Sequence, residues 1–231
     1  MTLLELDNVY SAYGSARVLH GVSLKIERGE RVALIGRNGV GKTTVVNSCI
    51  GAARLTQGAI SFMGRKQNPI RAYNAARSGI SIVPQGRRIV PGLTVRENLI
   101  LGSAPDRPGP WNMEAVFDMY PILRERADGL GTAMSGGQQQ MLAIGRALMS
   151  NPDLLILDEP SEGLAPVIVD ELGESLVRLA EQGTAILLIE QNFGLIRAVG
   201  DRYYVMSKGT VVDQGRLADL SNEELKSHVS V

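Results

Sequence analysis

The sequence has a single cysteine, Cys49. An internal disulfide is impossible, and the chain fits a reducing compartment. Cys49 falls between Ser48 and Ile50, on the helix expected after a glycine-rich loop, where it reads as a buried structural thiol rather than a reactive one. Histidine is nearly as scarce. His20 and His228 are far apart in sequence, so no metal-ligand spacing exists. Neither sign of charge is in excess: Lys plus Arg and Asp plus Glu each number 24. That argues against the basic stripe of a nucleic-acid-binding surface, and no nucleic-acid partner is expected. Long apolar runs are missing as well. None approaches the roughly 18 residues that span a bilayer. Met1-Thr2-Leu3-Leu4-Glu5 has neither the charged segment nor the apolar core of a signal peptide. The expectation is a soluble chain that acts at a membrane only through a partner. No internal repeat or low-complexity tract breaks it up.

What is present is a full core and one strong motif. Apolar residues make up 44% of 231 residues, enough for one large domain carrying an insertion. Residues 34–44 read Leu-Ile-Gly-Arg-Asn-Gly-Val-Gly-Lys-Thr-Thr. Gly36, Gly41, Lys42 and Thr43 match the phosphate-cradling G-x-x-x-x-G-K-[ST] spacing. Glycines let backbone N–H groups approach a polyphosphate without a Cβ in the way. The helix that follows adds its unpaired N–H groups and positive dipole end. Lys42 would reach the terminal phosphates and the Thr43 hydroxyl would bind Mg²⁺.

Strand patterning covers residues 3–9, 22–26, 31–35, 59–62, 80–83, 184–189, 202–206 and 210–213. Helices are expected over 42–50, 71–77, 166–182, 193–199 and 222–229, the last capped by Ser221 with Glu224 three residues on. Composition changes near residue 87. Thr94 and Glu97 form a capping-box pattern, residues 104–110 are Pro- and Gly-rich, and 112–126 looks helical with a break at Pro121. Residues 87–150 therefore read as a helical insertion, which Trp111 packs rather than using its ring for a ligand.

Four further stretches invite chemistry. Tyr13, before Gly14, can lay its ring against a flat base, although alone it reads as an ordinary loop tyrosine. Gln85 follows a strand end, where ligand-facing residues gather in α/β sheets. Ser135-Gly136-Gly137-Gln138 opens an amphipathic helix and makes a second anion-friendly N-terminus. Leu154-Leu155-Ile156-Leu157-Asp158-Glu159 is a fully apolar strand ending in two carboxylates. Mg²⁺ on the phosphates would compensate a buried Asp158, and Glu159 would stand by the attacking water as general base.

In this order, the phosphate loop, Gln85, the Ser-Gly-Gly-Gln stretch and Asp158-Glu159 resemble the ATP-binding subunit of an ABC transporter, over essentially the whole chain. The resemblance implies a P-loop α/β core with a mainly parallel sheet, an antiparallel β subdomain and an inserted helical subdomain. Residues 1–86 and 151–231 would form the core and 87–150 the helical part of one nucleotide-binding domain. It implies ATP and Mg²⁺ as ligands. ATP would be held by Tyr13, by Gly36, Arg37, Asn38, Gly39, Val40, Gly41, Lys42, Thr43 and Thr44, and by Gln85. Ser135, Gly136, Gly137 and Gln138 would complete the site of a second chain in trans. Thr43, Gln85 and Asp158 would hold the metal, with Glu159, Gln191 and Lys42 catalytic.

Three positions depart from the usual family pattern: Met134 for Leu, Ala165 for the Asp that usually ends the loop after the carboxylates, and Gln191 for the switch histidine. Gln can still donate a neutral hydrogen bond to a γ-phosphate or hold a water. With Gly-Leu-Ala-Pro at 163–166 and Glu-Gln-Asn at 190–192, the departures are similar to one subgroup, the bacterial importers of branched-chain amino acids, with relatives importing urea or short amides. The resemblance implies a second ABC ATPase subunit as partner, in a heterodimer, although a homodimer can form alone. Two transmembrane permease subunits and, indirectly, a periplasmic binding protein complete the set. The location implied is peripheral, on the cytoplasmic face of the bacterial inner membrane. Two other readings stand beside the importer ATPase: a nucleotide-gated subunit that hydrolyses poorly because of Gln191, and a soluble ABC ATPase of DNA repair or translation. Neutral charge and the absence of a coiled-coil insertion speak against the last.

Overall fold

The computed structural model describes residues 1–67 and 70–229, the side chain of Val229 excepted. The strands, in chain order, are β1 (Thr2–Tyr13), β2 (Ala16–Glu27), β3 (Arg31–Ile35), β4 (Arg54–Phe62), β5 (Arg65–Lys66), β6 (Ile80–Val83), β7 (Leu154–Asp158), β8 (Ala185–Ile189), β9 (Arg202–Ser207) and β10 (Thr210–Arg216). The helices are α1 (Lys42–Cys49), α2 (Ala72–Ser78), α3 (Val95–Gly102), α4 (Met113–Met119), α5 (Pro121–Glu125), α6 (Gly136–Leu148), α7 (Pro166–Glu181), α8 (Phe193–Val199) and α9 (Asn222–Val229).

Two sheets divide the strands. One has the order β10-β9-β3-β8-β7-β6 and is parallel except for the β9–β10 hairpin. The other is antiparallel, in the order β2-β1-β4-β5. The fold is thus α/β, with a mostly parallel sheet and a separate antiparallel one. Strands β7 and β8 are buried along their whole length, as a parallel sheet covered on both faces requires.

Alternation along those strands sends side chains into two cores. Leu155, Leu157, Ile186 and Leu188 pack with Val95, Leu99, Trp111, Phe117, Leu142 and Leu176, from the segment 95–148 and from α7. Leu154, Ile156, Leu187 and Ile189 face the opposite way, against Val45 and Val46 of α1 and the antiparallel sheet's Leu6, Leu24, Ile60 and Phe62. Trp111 packs the helical region, as expected, and its backbone N–H donates to Asn151 Oδ1 at 2.7 Å.

Helix ends follow local chemistry. Thr94 and Glu97 form a reciprocal capping box on α3, and Ser135 and Gln138 do the same on α6. The helical stretch 112–126 is broken where Pro121 starts α5.

The strands at the periphery are longer than the pattern predicts. Strand β1 runs on to Tyr13, so residues 10–13 are sheet and not loop. Register shifts between Leu6 and Val9, and again at Val9–Tyr10 and Ser11–Ala12, break the two-residue alternation that would have revealed the strand. Likewise β4 starts at Arg54 because Gly58, at φ +83, carries the strand past a bulge opposite Asp7–Tyr10. Strand β10 extends to Arg216 with alternating exposed residues at the sheet edge.

Two outcomes follow. Ile156 is fully buried at the centre of β7, so Ile156→Ala should cost about 2–5 kcal/mol in urea unfolding. Burial pushes the Cys49 thiol up to about 12, so Cys49 should stay unreactive to a thiol reagent at pH 8 until the chain is unfolded.

Candidate active site

Strands β3, β7 and β8 are parallel neighbours, so their carboxyl ends meet at one edge of the sheet. The loop after β3 returns into α1. Gly36 lies at φ +145, and a Cβ there would stand 2.5 Å from the Met206 carbonyl oxygen, so only glycine lets the loop pass β9. Gly41 caps α1 at φ +108. The Val40 carbonyl accepts from Gly209 N–H at 2.9 Å, tying the loop to the β9–β10 turn.

Lys42 is buried at 5% exposure. Its Nζ donates to the carbonyls of Gly36 at 2.6 Å and Arg37 at 3.0 Å, and lies 3.9 Å from Glu159 Oε1. Burial lowers its pKa, and Glu159, Asp158 and Glu190 oppose that shift. At the end of β7, Asp158 is 3% exposed, and its Oδ1 lacks a hydrogen-bond partner among the described residues. Burial raises its pKa; a hydrogen bond from the Thr43 side chain counters this, and the neighbouring Glu159 adds to the rise.

Glu159 follows with φ +50, a left-handed conformation uncommon for a non-glycine residue and typical of functional sites. Its N–H donates to the Ile189 carbonyl at 2.9 Å. Gln191 Nε2 donates to Glu159 Oε1 at 2.9 Å and to Asn38 Oδ1 at 2.6 Å. Gln85 Nε2 reaches Glu159 Oε2 at 3.4 Å and Glu162 Oε2 at 3.1 Å. Lys42, Thr43, Gln85 and Glu159 line a cleft of about 350 Å³ with Asn38, Gly39, Gly41 and Thr44.

Two other lining residues, Val18 and Glu162, escape a reading of the sequence. Val18 is one residue of a β-strand with no chemical signature. Glu162, three residues beyond Glu159, is a carboxylate that could have been singled out. Glu190, which in the sequence is only the first residue of Glu-Gln-Asn, is 3% exposed.

The remaining predicted residues lie elsewhere. Tyr13, 42% exposed, is not among the lining residues; its hydroxyl accepts from Asn47 Nδ2 of α1 at 2.6 Å. None of Ser135, Gly136, Gly137 and Gln138 lines this cleft. Gln138 Oε1 instead accepts from Ser135 N–H at 3.1 Å, and Gly137 leaves room for Ile168, whose Cγ2 would be 2.7 Å from a Cβ. Gly136 adjoins the Arg87 guanidinium, which also donates to the Glu162 carbonyl at 2.8 Å.

The donor set suits a hard cation shared with phosphates. The Asp158 carboxylate, with its orphaned Oδ1, and the Thr43 hydroxyl lie side by side and could offer oxygen ligands. Among the described residues no group of three or more His, Cys, Asp or Glu side chains could hold a metal alone. Mg²⁺ is commonly bound by one or two protein oxygens together with substrate phosphates.

The loop, the helix it feeds and the carboxylates at the end of β7, one strand beyond β8, define a phosphate-loop nucleoside-triphosphatase. The ABC transporter family profile matches residues 19–162, and the chain belongs to that family, as an ATP-binding, ATP-hydrolysing subunit. It is 41% identical to the high-affinity branched-chain amino acid transport ATP-binding protein BraG of Pseudomonas aeruginosa, over 91% of each chain. It is 32% identical to the lipopolysaccharide export system ATP-binding protein LptB of Haemophilus influenzae, over 97% of this chain and 95% of that one. A crystal structure of a nucleotide-free ATP-binding cassette from an ABC transporter superposes with a TM-score of 0.85 at 27% identity, covering 100% of this chain and 96% of the other. No helix among the described residues is long and apolar enough to cross a membrane.

A carboxyl whose pKa folding has raised contributes its stability below the unfolded pKa and loses it as pH rises through the folded value. At pH 7 an ionised Asp158 is therefore a cost to the fold. Asp158→Asn should stabilise the chain at pH 7, with the gain vanishing toward acid pH, and should weaken Mg²⁺-dependent nucleotide binding. Thermal melts across pH and nucleotide titrations with and without Mg²⁺ check both.

Proposed function

We propose that this chain powers an importer of branched-chain or other hydrophobic amino acids, bound peripherally to the cytoplasmic face of a bacterial inner membrane. Its 41% identity to BraG over 91% of both chains is the observation that carries the substrate class. ATP would lie on the loop 36–44, with its base toward Tyr13. Lys42 would turn part of its donor capacity from the loop carbonyls to the terminal phosphates. Mg²⁺, held by Thr43, Asp158 and Gln85, supplies neutralisation of the phosphate charge when bound.

Glu159 accepts the proton of the attacking water, and ADP leaves from the opposite side of the γ-phosphoryl group. Gln191 orients Glu159 through the 2.9 Å bond and is near enough to hold that water. Ser135, Gly136, Gly137 and Gln138 point to work elsewhere, since they open a capped helix outside the chain's own cleft. They would complete a second chain's nucleotide site, and that chain's signature would complete this one.

The helical part, 87–150, would meet the permease together with Arg87 and Arg88, both at positive φ. An apolar cleft of about 450 Å³ between α2, β6 and α3, rimmed by the exposed side chains of Tyr73 and Leu101, supports docking of a permease segment there. The ATPase makes no contact with the transported solute, so an amino-acid screen of the binding protein in the intact assembly tests the substrate class. Failure of branched-chain amino acids to drive ATP hydrolysis would overturn it.

A second reading has its own support. Gln191, a neutral side chain where the family usually has histidine, is engaged by both Asn38 and Glu159. This subunit would then gate dimer closure while a histidine-bearing partner hydrolyses faster. Glu159→Gln should cut single-turnover hydrolysis about 100-fold or more while leaving ATP binding intact. Gln191→His should raise the rate if this site is the slow one. A full transport rate with this chain as the sole ATPase would rule out the heterodimer.

A further inference from the structure

Glu190 follows β8 and is almost entirely buried, at 3% exposure. Its carboxylate joins two loops through backbone N–H groups. Oε1 accepts from Ser161 N–H at 2.9 Å, across 29 residues of sequence. Oε2 accepts from Gln191 N–H at 2.7 Å and Asn192 N–H at 2.8 Å. Two successive N–H groups converging on one oxygen form an anion-binding nest. Here the anion is the chain's own side chain.

We infer that Glu190 is a positioning residue for ATP hydrolysis, clamping the loop after β7 to the loop after β8 and thereby setting the Glu159–Gln191 contact. The inference rests on the proposed roles of Glu159 and Gln191. The geometry forms a closed ring. Asp158 and Ile189 are paired across β7 and β8, and Glu159 N–H donates to the Ile189 carbonyl. In front, Gln191 Nε2 bonds Glu159 Oε1. Behind, Glu190 bonds Ser161, two residues beyond Glu159. Glu159 sits at φ +50, a conformation its own preference does not hold. Asn192, also fixed by Glu190, caps α8 by accepting from Leu195 N–H at 3.0 Å.

The chemistry requires a carboxylate. It is acceptor-only, with about four lone-pair sites, so it can serve donors on two sides. A glutamine of the same shape has one oxygen. Its NH₂ would face either Ser161 N–H or the Gln191–Asn192 pair, donor against donor. Aspartate keeps the charge but is one methylene shorter and reaches one loop only.

The test is single-turnover ATP hydrolysis and equilibrium Mg·ATP binding by the full chain carrying Glu190→Gln, Gln191→Ala, and both. Glu190→Gln should slow hydrolysis on the order of 10- to 100-fold, the scale of a displacement of about 1 Å in a catalytic group, with ATP affinity unchanged. The double variant should be no slower than the slower single, because both act through one contact. Glu190→Asp, which retains the charge, should recover part of the rate and provides the same comparison where Glu190→Gln does not fold.

A wild-type rate in Glu190→Gln, additive losses in the double variant, or affinity falling in step with rate would each overturn the inference. Glu159→Gln separates the two levels. If it leaves hydrolysis unchanged, the assignment of Glu159 is wrong. If it abolishes hydrolysis while both Glu190 variants behave as wild type, the positioning role alone is wrong.

Discussion

Charge buried beside the carboxyl ends of apolar strands is the constraint on which this structure turns. Lys42, Asp158 and Glu190 are each at most 5% exposed, and isolated buried charges are too costly to keep without compensation. Each is compensated differently. Lys42 spends donors on two loop carbonyls and lies near Glu159. Glu190 is satisfied by backbone amides of two loops. Asp158 alone keeps an orphaned oxygen. The orphaned Asp158 oxygen and the left-handed Glu159 thus lie where ligand charge would arrive, which is how a fold can couple its stability to a bound nucleotide.

The sheet makes this gathering possible. Parallel β3, β8 and β7 lie side by side, so the loop 36–41, the Glu159 turn and the Gln191 turn emerge together. Alternate residues of β7 and β8 grip different partners, the helical region on one face and α1 with the antiparallel sheet on the other. Movement between those two bodies would therefore pass through the strands that hold the carboxylates. Asn98 and Arg146 extend the connection: Arg146 donates to the Arg87 carbonyl at 3.0 Å and to Asn98 Oδ1 at 3.3 Å. Asn98 in turn accepts from Val90 N–H at 3.0 Å. The segment after Gln85 is thus held by α3 and α6, and through Arg87 it touches the loop beyond Glu159.

Elements with unmixed local signals were legible residue by residue. Strand β3 and strand β6 have the bounds the apolar pattern predicts, and the caps at Thr94 and Ser221 form as their spacing requires. The antiparallel strands run longer than local alternation indicates, because bulges near Asn8 and Gly58 interrupt it. Tyr13 consequently belongs to a strand end rather than a loop.

That a phosphate loop, a glutamine, a Ser-Gly-Gly-Gln helix start and a paired carboxylate occur in one chain is readable from residue order, because each is a contiguous run whose chemistry is local. Tertiary structure alone decided which of them meet. Gln191 reaches Asn38 and Glu159 across the sheet edge, and Glu190 reaches Ser161. Those contacts depend on β3, β8 and β7 being neighbours in space, in an order that differs from their order in the chain. The phosphate loop and its carboxylates come together in one cleft, while the Ser-Gly-Gly-Gln helix opens outside it. That separation is a property of the folded chain, in which Gly137 lets α6 pack closely against Ile168 of α7.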